Sequence, residues 1–116
     1  MPEIDPIQPL SLNQRLQSGD PLTLLDVREP DERAYCVIPV PANVIDLYIP
    51  MREIPSRLAE IREASQEKTL VVYCHHGVRS LMAATWLDAQ GIGPILNLDG
   101  GIDAWSIEVD RSVPRY

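Results

Sequence analysis

Phenylalanine is absent from this 116-residue chain, cysteine occurs only twice, and Lys and Arg together number 10 against 17 Asp and Glu. Without Phe, an interior has to be filled by Leu, Ile and Val, with Trp86, Trp105 and four Tyr supplying the aromatic area. Two cysteines, Cys36 and Cys74, are too few for a disulfide scaffold. They suit a reducing compartment, so a cytoplasmic location and at least one free thiol are expected. The net charge of −7 disfavours nucleic acid as a partner, because phosphate backbones are held by clustered Lys and Arg. A small anionic ligand stays open, since a local nest of backbone amides outweighs distant charge screened over about 10 Å. No apolar run approaches the roughly 20 residues that cross a bilayer, so no membrane association is expected. Residues 1–9 carry acids and prolines where an export signal needs a cationic end and an apolar stretch, and none is expected.

What is present reads as one domain over residues 1–116, long enough for a single core. Apolar residues at 45% and charged residues at 23% suit a folded globular chain rather than a disordered one. A first short helix is expected from Ser11, at an N-cap position, to Gly19, with Leu12 and Leu16 on one face. Residues 22–27, Leu-Thr-Leu-Leu-Asp-Val, form an apolar run between turn signals and read as a buried strand ending near Asp26. Four prolines between residues 36 and 55 forbid a continuous helix, and the segment reads as extended chain and loop. Ile54, Leu58 and Ile61 then mark an amphipathic helix opened by Pro55. Leu70-Val71-Val72-Tyr73 is a second buried strand, ending at Cys74. A helix capped by Ser80 and ending at Gly91, a strand over residues 95–98 and a last helix after Gly100-Gly101 complete the chain, whose tail to Tyr116 reads as surface packing. Strands alternating with helices at this spacing imply an α/β fold, a mostly parallel sheet with helices on both faces. Ligands of such sheets bind beyond the carboxyl ends of the strands, where both Cys74 and Asp26 fall.

A cysteine that follows a buried strand and precedes a Gly-containing turn and a helix is surrounded by unpaired backbone N–H groups. Those donors, the helix dipole and nearby Arg79 favour the thiolate, the nucleophilic form of Cys74. Gly77 suits a loop that turns its amides inward. Arg79 either ties the loop down or binds an incoming anion.

The loop Cys74-His75-His76-Gly77-Val78-Arg79 resembles the active-site loop of the rhodanese family: Cys, two variable residues, Gly, one variable residue, then Arg or another polar residue. The resemblance extends from Leu24-Leu25-Asp26-Val27-Arg28-Glu29-Pro30 to Gly100-Gly101-Ile102-Asp103-Ala104-Trp105. It implies a rhodanese-like α/β fold and a sulfurtransferase without a cofactor. A sulfane-sulfur donor such as thiosulfate loads Cys74 as a persulfide, and cyanide or a small-molecule or protein thiol unloads it. His75, His76, Gly77, Val78, Arg79 and Ser80 would form the substrate-binding loop, and Asp26 and Arg28 would support it by holding two loops together. A protein sulfur donor or acceptor is a further expected partner. Two departures stand out. His75 occupies a position where single-domain relatives often carry Arg, and Cys36-Val37-Ile38-Pro39-Val40-Pro41-Ala42 replaces a Gly-His-Ile-Pro-Gly-Ala stretch, losing both glycines.

Cys36 reads as ordinary packing, with a regulatory disulfide to Cys74 as its functional option. No metal is expected at His75-His76, because adjacent residues rarely turn toward one ion; the pair reads as a solvated loop shaping substrate entry. Glu32 reads as a solvated helix face, and Trp86 and Trp105 as core. Two other functions compete. A cysteine phosphatase of this fold would place its Arg at position 80, where the chain has Ser80. A sulfur carrier or docking module without turnover is the nearer alternative.

Overall fold

Residues 4–116 are described by the computed structural model. The two unalternating apolar runs become neighbouring strands at the centre of the sheet, β2 (Leu22–Asp26) and β4 (Thr69–Tyr73), paired in parallel with Leu24 opposite Val71 and Asp26 opposite Tyr73. β5 (Ile95–Leu98) lies on the other side of β4. Two strands that sequence patterning did not mark close the edges: β1 (Asp5–Ile7) beside β5, and β3 (Ile45–Tyr48) beside β2. The order is β1-β5-β4-β2-β3, and every pair is parallel. Both missed strands are short and only partly covered, and each follows a proline-containing stretch, so neither shows the apolar run of a central strand.

Alternation along β2 and β4 divides the core between the two faces. Leu22, Leu24, Val71 and Tyr73 face α1 (Pro9–Gln17) and α5 (Gly101–Glu108), which contribute Leu12, Leu16, Ile102 and Trp105. Leu25, Val27, Leu70, Val72 and Cys74 face α3 (Leu58–Ala64) and α4 (Val78–Ala89), which contribute Ile61, Ala83, Ala84 and Leu87. The structure is therefore an α/β sheet covered on both faces.

Four local expectations are corrected. α1 begins at Pro9, two residues before Ser11, because proline needs no N–H partner at a first helical position. A further helix, α2 (Pro30–Tyr35), is held by a capping box in which Glu29 and Glu32 satisfy each other's backbone N–H. α4 begins at Val78 after Gly77, so Ser80 lies inside its first turn rather than capping it. Trp105 is core, whereas Trp86 is 37% exposed on the outer side of α4. No helix among the described residues is long and apolar enough to cross a membrane.

Candidate active site

Because β2 and β4 end in register, the chain leaves both strands at the same place: the Val27 amide donates to Tyr73 O at 3.1 Å, and Cys74 follows immediately. The Cys74 side chain is buried, 1% exposed, under the turn that leads into α4. Its Sγ accepts hydrogen bonds from the backbone N–H of Gly77 at 3.1 Å and of Ser80 at 3.3 Å. The Ser80 Oγ is also 3.3 Å from Sγ and donates to Asn97 Oδ1 at 2.6 Å; Asn97 Nδ2 donates to Gly77 O at 3.1 Å. Gly77 takes φ +100°, and a Cβ there would lie 3.3 Å from Leu98 O, so the residue that aims the first amide at sulfur has both a conformational and a spatial reason to be glycine.

The start of α5 supports the loop from the other side. Ile102 N donates to Cys74 O at 2.9 Å and Asp103 N to His75 O at 3.1 Å, so otherwise unpaired helix-start amides satisfy the loop's carbonyls. Gly101, at φ +63°, makes that approach possible, since any Cβ would collide with both carbonyls.

Arg79 forms a two-pronged ion pair with Glu32, at 2.7 and 3.0 Å. Glu32 is therefore not a solvated helix face. It also accepts from Tyr116 Oη at 2.6 Å, and the Arg79 guanidinium brings its carboxyl down to about 2. Glu32 in turn raises Arg79 above its ordinary value. Of the two sequence expectations for Arg79, this contact is a tie between α4 and α2.

Asp26 and Arg28 pair with neither side chain exposed to solvent. Arg28 Nε and Nη2 each meet an Asp26 carboxylate oxygen at 2.9 Å, Nη2 donates to Cys36 O at 2.6 Å, and Nη1 donates to Tyr116 Oη at 3.0 Å. Burial works against the Arg28 charge, but the Asp26 carboxylate more than offsets it and the net shift is upward. The pair fixes the chain around α2 to the end of β2 and to the tail.

His75 is half-buried rather than solvated. Its ring stacks on Tyr116 at 3.8 Å and 9° and on His76 at 3.8 Å and 30°. Burial, with His76 as a second cause, holds its imidazole below the ordinary 6.5, so it is not a source of positive charge at neutral pH. His76 and Val78 are exposed. Potential metal-ligand atoms of His75, His76 and Asp103 lie within 4.8 Å of one another, but Arg115 already engages the Asp103 carboxylate at 2.8 and 3.3 Å and the two imidazoles stack. Cys36 packs in the core on the face of the sheet opposite Cys74, so the two free thiols do not face each other.

The roles of three residues of this region escaped the sequence reading. Asn97 had a signal, as the one polar residue in Ile-Leu-Asn-Leu, a strand whose end adjoins Cys74. Glu32 had one in its spacing from Glu29. Tyr116 had none, because only the fold brings it to His75.

A buried cysteine whose sulfur accepts two backbone amides, set between a parallel strand and a helix, is the centre of this α/β protein's candidate site. The match to the rhodanese-like domain model runs over residues 8–108, and the chain belongs to that family. It is similar to a sulfurtransferase of Allochromatium vinosum, 40% identical over 103 residues that make up 89% of each chain. It is also similar to the rhodanese-like/PpiC domain-containing protein 12 of Arabidopsis thaliana, 35% identical over 117 residues, a match spanning 95% of this chain and 36% of that longer protein. Among solved structures, the rhodanese-related protein of Thermoplasma volcanium superposes with a TM-score of 0.73 at 31% identity, covering 90% of this chain and 93% of that one.

Proposed function

We propose that the protein is a cytoplasmic sulfurtransferase that carries sulfane sulfur on Cys74 as a persulfide. The observation that carries this reading is the seating of Cys74 Sγ on the Gly77 and Ser80 amides inside a Cys-x-x-Gly-x-Arg loop. Donors aimed at that point stabilise negative charge on whichever sulfur occupies it, without reorganisation during transfer. The Cys74 thiolate attacks the outer sulfur of a donor such as thiosulfate. An S–S bond to Cys74 forms as the donor's S–S bond breaks, and sulfite leaves with the electron pair. An acceptor then attacks the outer sulfur of the persulfide, cyanide leaving as thiocyanate or a thiol as its own persulfide, and the Cys74 thiolate is restored. With Cys74 ionised, loading needs no general base, and the second transfer needs none when the acceptor arrives as an anion, cyanide or a thiolate.

With Arg79 engaged by Glu32, the loop amides and the exposed His76 are the groups left to receive the donor. The loop length supports this chemistry over phosphate transfer, since position 80 holds a buried serine where a phosphatase loop would carry its arginine.

Turnover of thiosulfate with cyanide, followed as thiocyanate, tests the reading. Activity that disappears in Cys74→Ser supports the enzyme. Loading of one sulfur without turnover points to a carrier within a sulfur relay served by a protein donor or acceptor, and absence of both overturns the proposal.

A further inference from the structure

Ser80 has one hydroxyl hydrogen and two acceptors within reach, Asn97 Oδ1 at 2.6 Å and Cys74 Sγ at 3.3 Å. Ser80 is fully buried and Asn97 is 8% exposed, so water is a poor substitute for either partner. The short contact goes to Asn97, whose orientation is set independently: Nδ2 donates to Gly77 O at 3.1 Å, which turns Oδ1 toward Ser80. Gly77 N–H then donates to Cys74 Sγ at 3.1 Å, closing a ring of four residues around the sulfur. In the thiol form every hydrogen in the ring has a place: S–H on Ser80 Oγ, Ser80 O–H on Asn97 Oδ1, Asn97 Nδ2–H on Gly77 O, and Gly77 N–H on Sγ.

We propose that Asn97 is a positioning residue that holds the Ser80 hydroxyl away from the reactive sulfur, leaving the Cys74 thiolate cradled by the Gly77 and Ser80 amides alone. Turning the hydroxyl toward the thiolate would strand Asn97 Oδ1 as a buried acceptor without a donor. A third donor on sulfur would stabilise the thiolate further and weaken its attack, because thiolate nucleophilicity falls with basicity. Asn97 thereby trades thiolate stability for reactivity. The inference rests on Cys74 being the sulfur acceptor, and it assigns work to a strand residue outside the loop motif.

The test is the pH dependence of Cys74 alkylation by iodoacetamide, read at the Cys74 peptide by mass spectrometry in wild type, Asn97→Leu, Ser80→Ala and the double variant. The charged and titratable groups of the loop and of the elements around it are the same in all four proteins: Arg79 with Glu32, His75 and His76 of the loop, Asp103 with Arg115, Asp26 with Arg28, and Tyr116. In Asn97→Leu the freed hydroxyl turns to sulfur, moving the profile to lower pH by roughly one unit and reducing the high-pH plateau about threefold. Ser80→Ala does not move the profile to higher pH, and the double variant follows Ser80→Ala. The proposal is overturned if Asn97→Leu matches wild type, if its shift persists without Ser80, or if Ser80→Ala moves the profile upward. That last arm decides the question alone should Asn97→Leu fail to fold. Failure of wild type to take up sulfur would instead remove the functional reading, while the alkylation series would still report where the hydroxyl points.

Discussion

A methyl group at Gly101 would overlap the carbonyl oxygens of Cys74 and His75, and the residue also sits at φ +63°. Backbone on both sides leaves nothing flexible to give way. Gly101→Ala is therefore expected to lower stability by on the order of 3 kcal/mol, measured by urea unfolding. It should also slow sulfur loading, since α5 must retreat from the loop whose carbonyls it holds. A loss below about 0.5 kcal/mol, the range of ordinary surface changes, would mean that the α5 start is not seated against the loop as described. Residue identity was informative here. Gly77 and Gly101 mark two points of closest backbone approach, and both stood in motifs that the sequence displayed.

Between elements, the Glu32–Arg79 pair connects α2 to the first turn of α4 and so to the amides around Cys74. Arg79 holds Glu32 at about 2, against an ordinary value of 4.5. The unfolded chain therefore binds the proton first on acidification, and the stability from this pair is present above pH 4.5 and lost as pH falls toward 2. Discounted for the partial exposure of Arg79, it is on the order of 2 kcal/mol. Urea unfolding of wild type and Glu32→Gln should differ by about that amount at pH 7 and converge progressively below pH 4.5; a difference that stays constant down to pH 3 would contradict the assignment. The elements themselves were unequally legible. β2, β4 and β5 were readable because strands buried on both faces need continuous apolar runs. α2 has no buried residue and β3 is partly covered, so neither carries a periodic apolar signal. Their evidence lies in capping and pairing chemistry instead.

Across the whole molecule, Tyr116 brings the tail onto the loop, stacking on His75 while its hydroxyl donates to Glu32 and accepts from Arg28. No periodicity predicts a contact over that sequence separation, and a tail read as surface packing became part of the site's surroundings. The Tyr116 ring covers one face of His75, and burial, with His76 as the second cause, lowers its value below 6.5 against an opposing backbone hydrogen bond with Tyr116. A depressed histidine withdraws stability as pH falls through 6.5, where the unfolded chain begins to take up the proton, until its own folded value is passed. In Tyr116→Ala the His75 titration followed by NMR should move upward toward 6.5, and stability should depend less on pH just below neutrality. An unchanged His75 midpoint would show that Tyr116 is not what buries it.

The central proposal is that Cys74 accepts one sulfur atom. Intact-mass spectrometry after incubation with thiosulfate, comparing wild type with Cys74→Ser, addresses it directly. The expected result is a gain of one sulfur atom in wild type that is reversed by cyanide and absent from Cys74→Ser. No gain in wild type, or the same gain in Cys74→Ser, would contradict Cys74 as the sulfur-carrying residue.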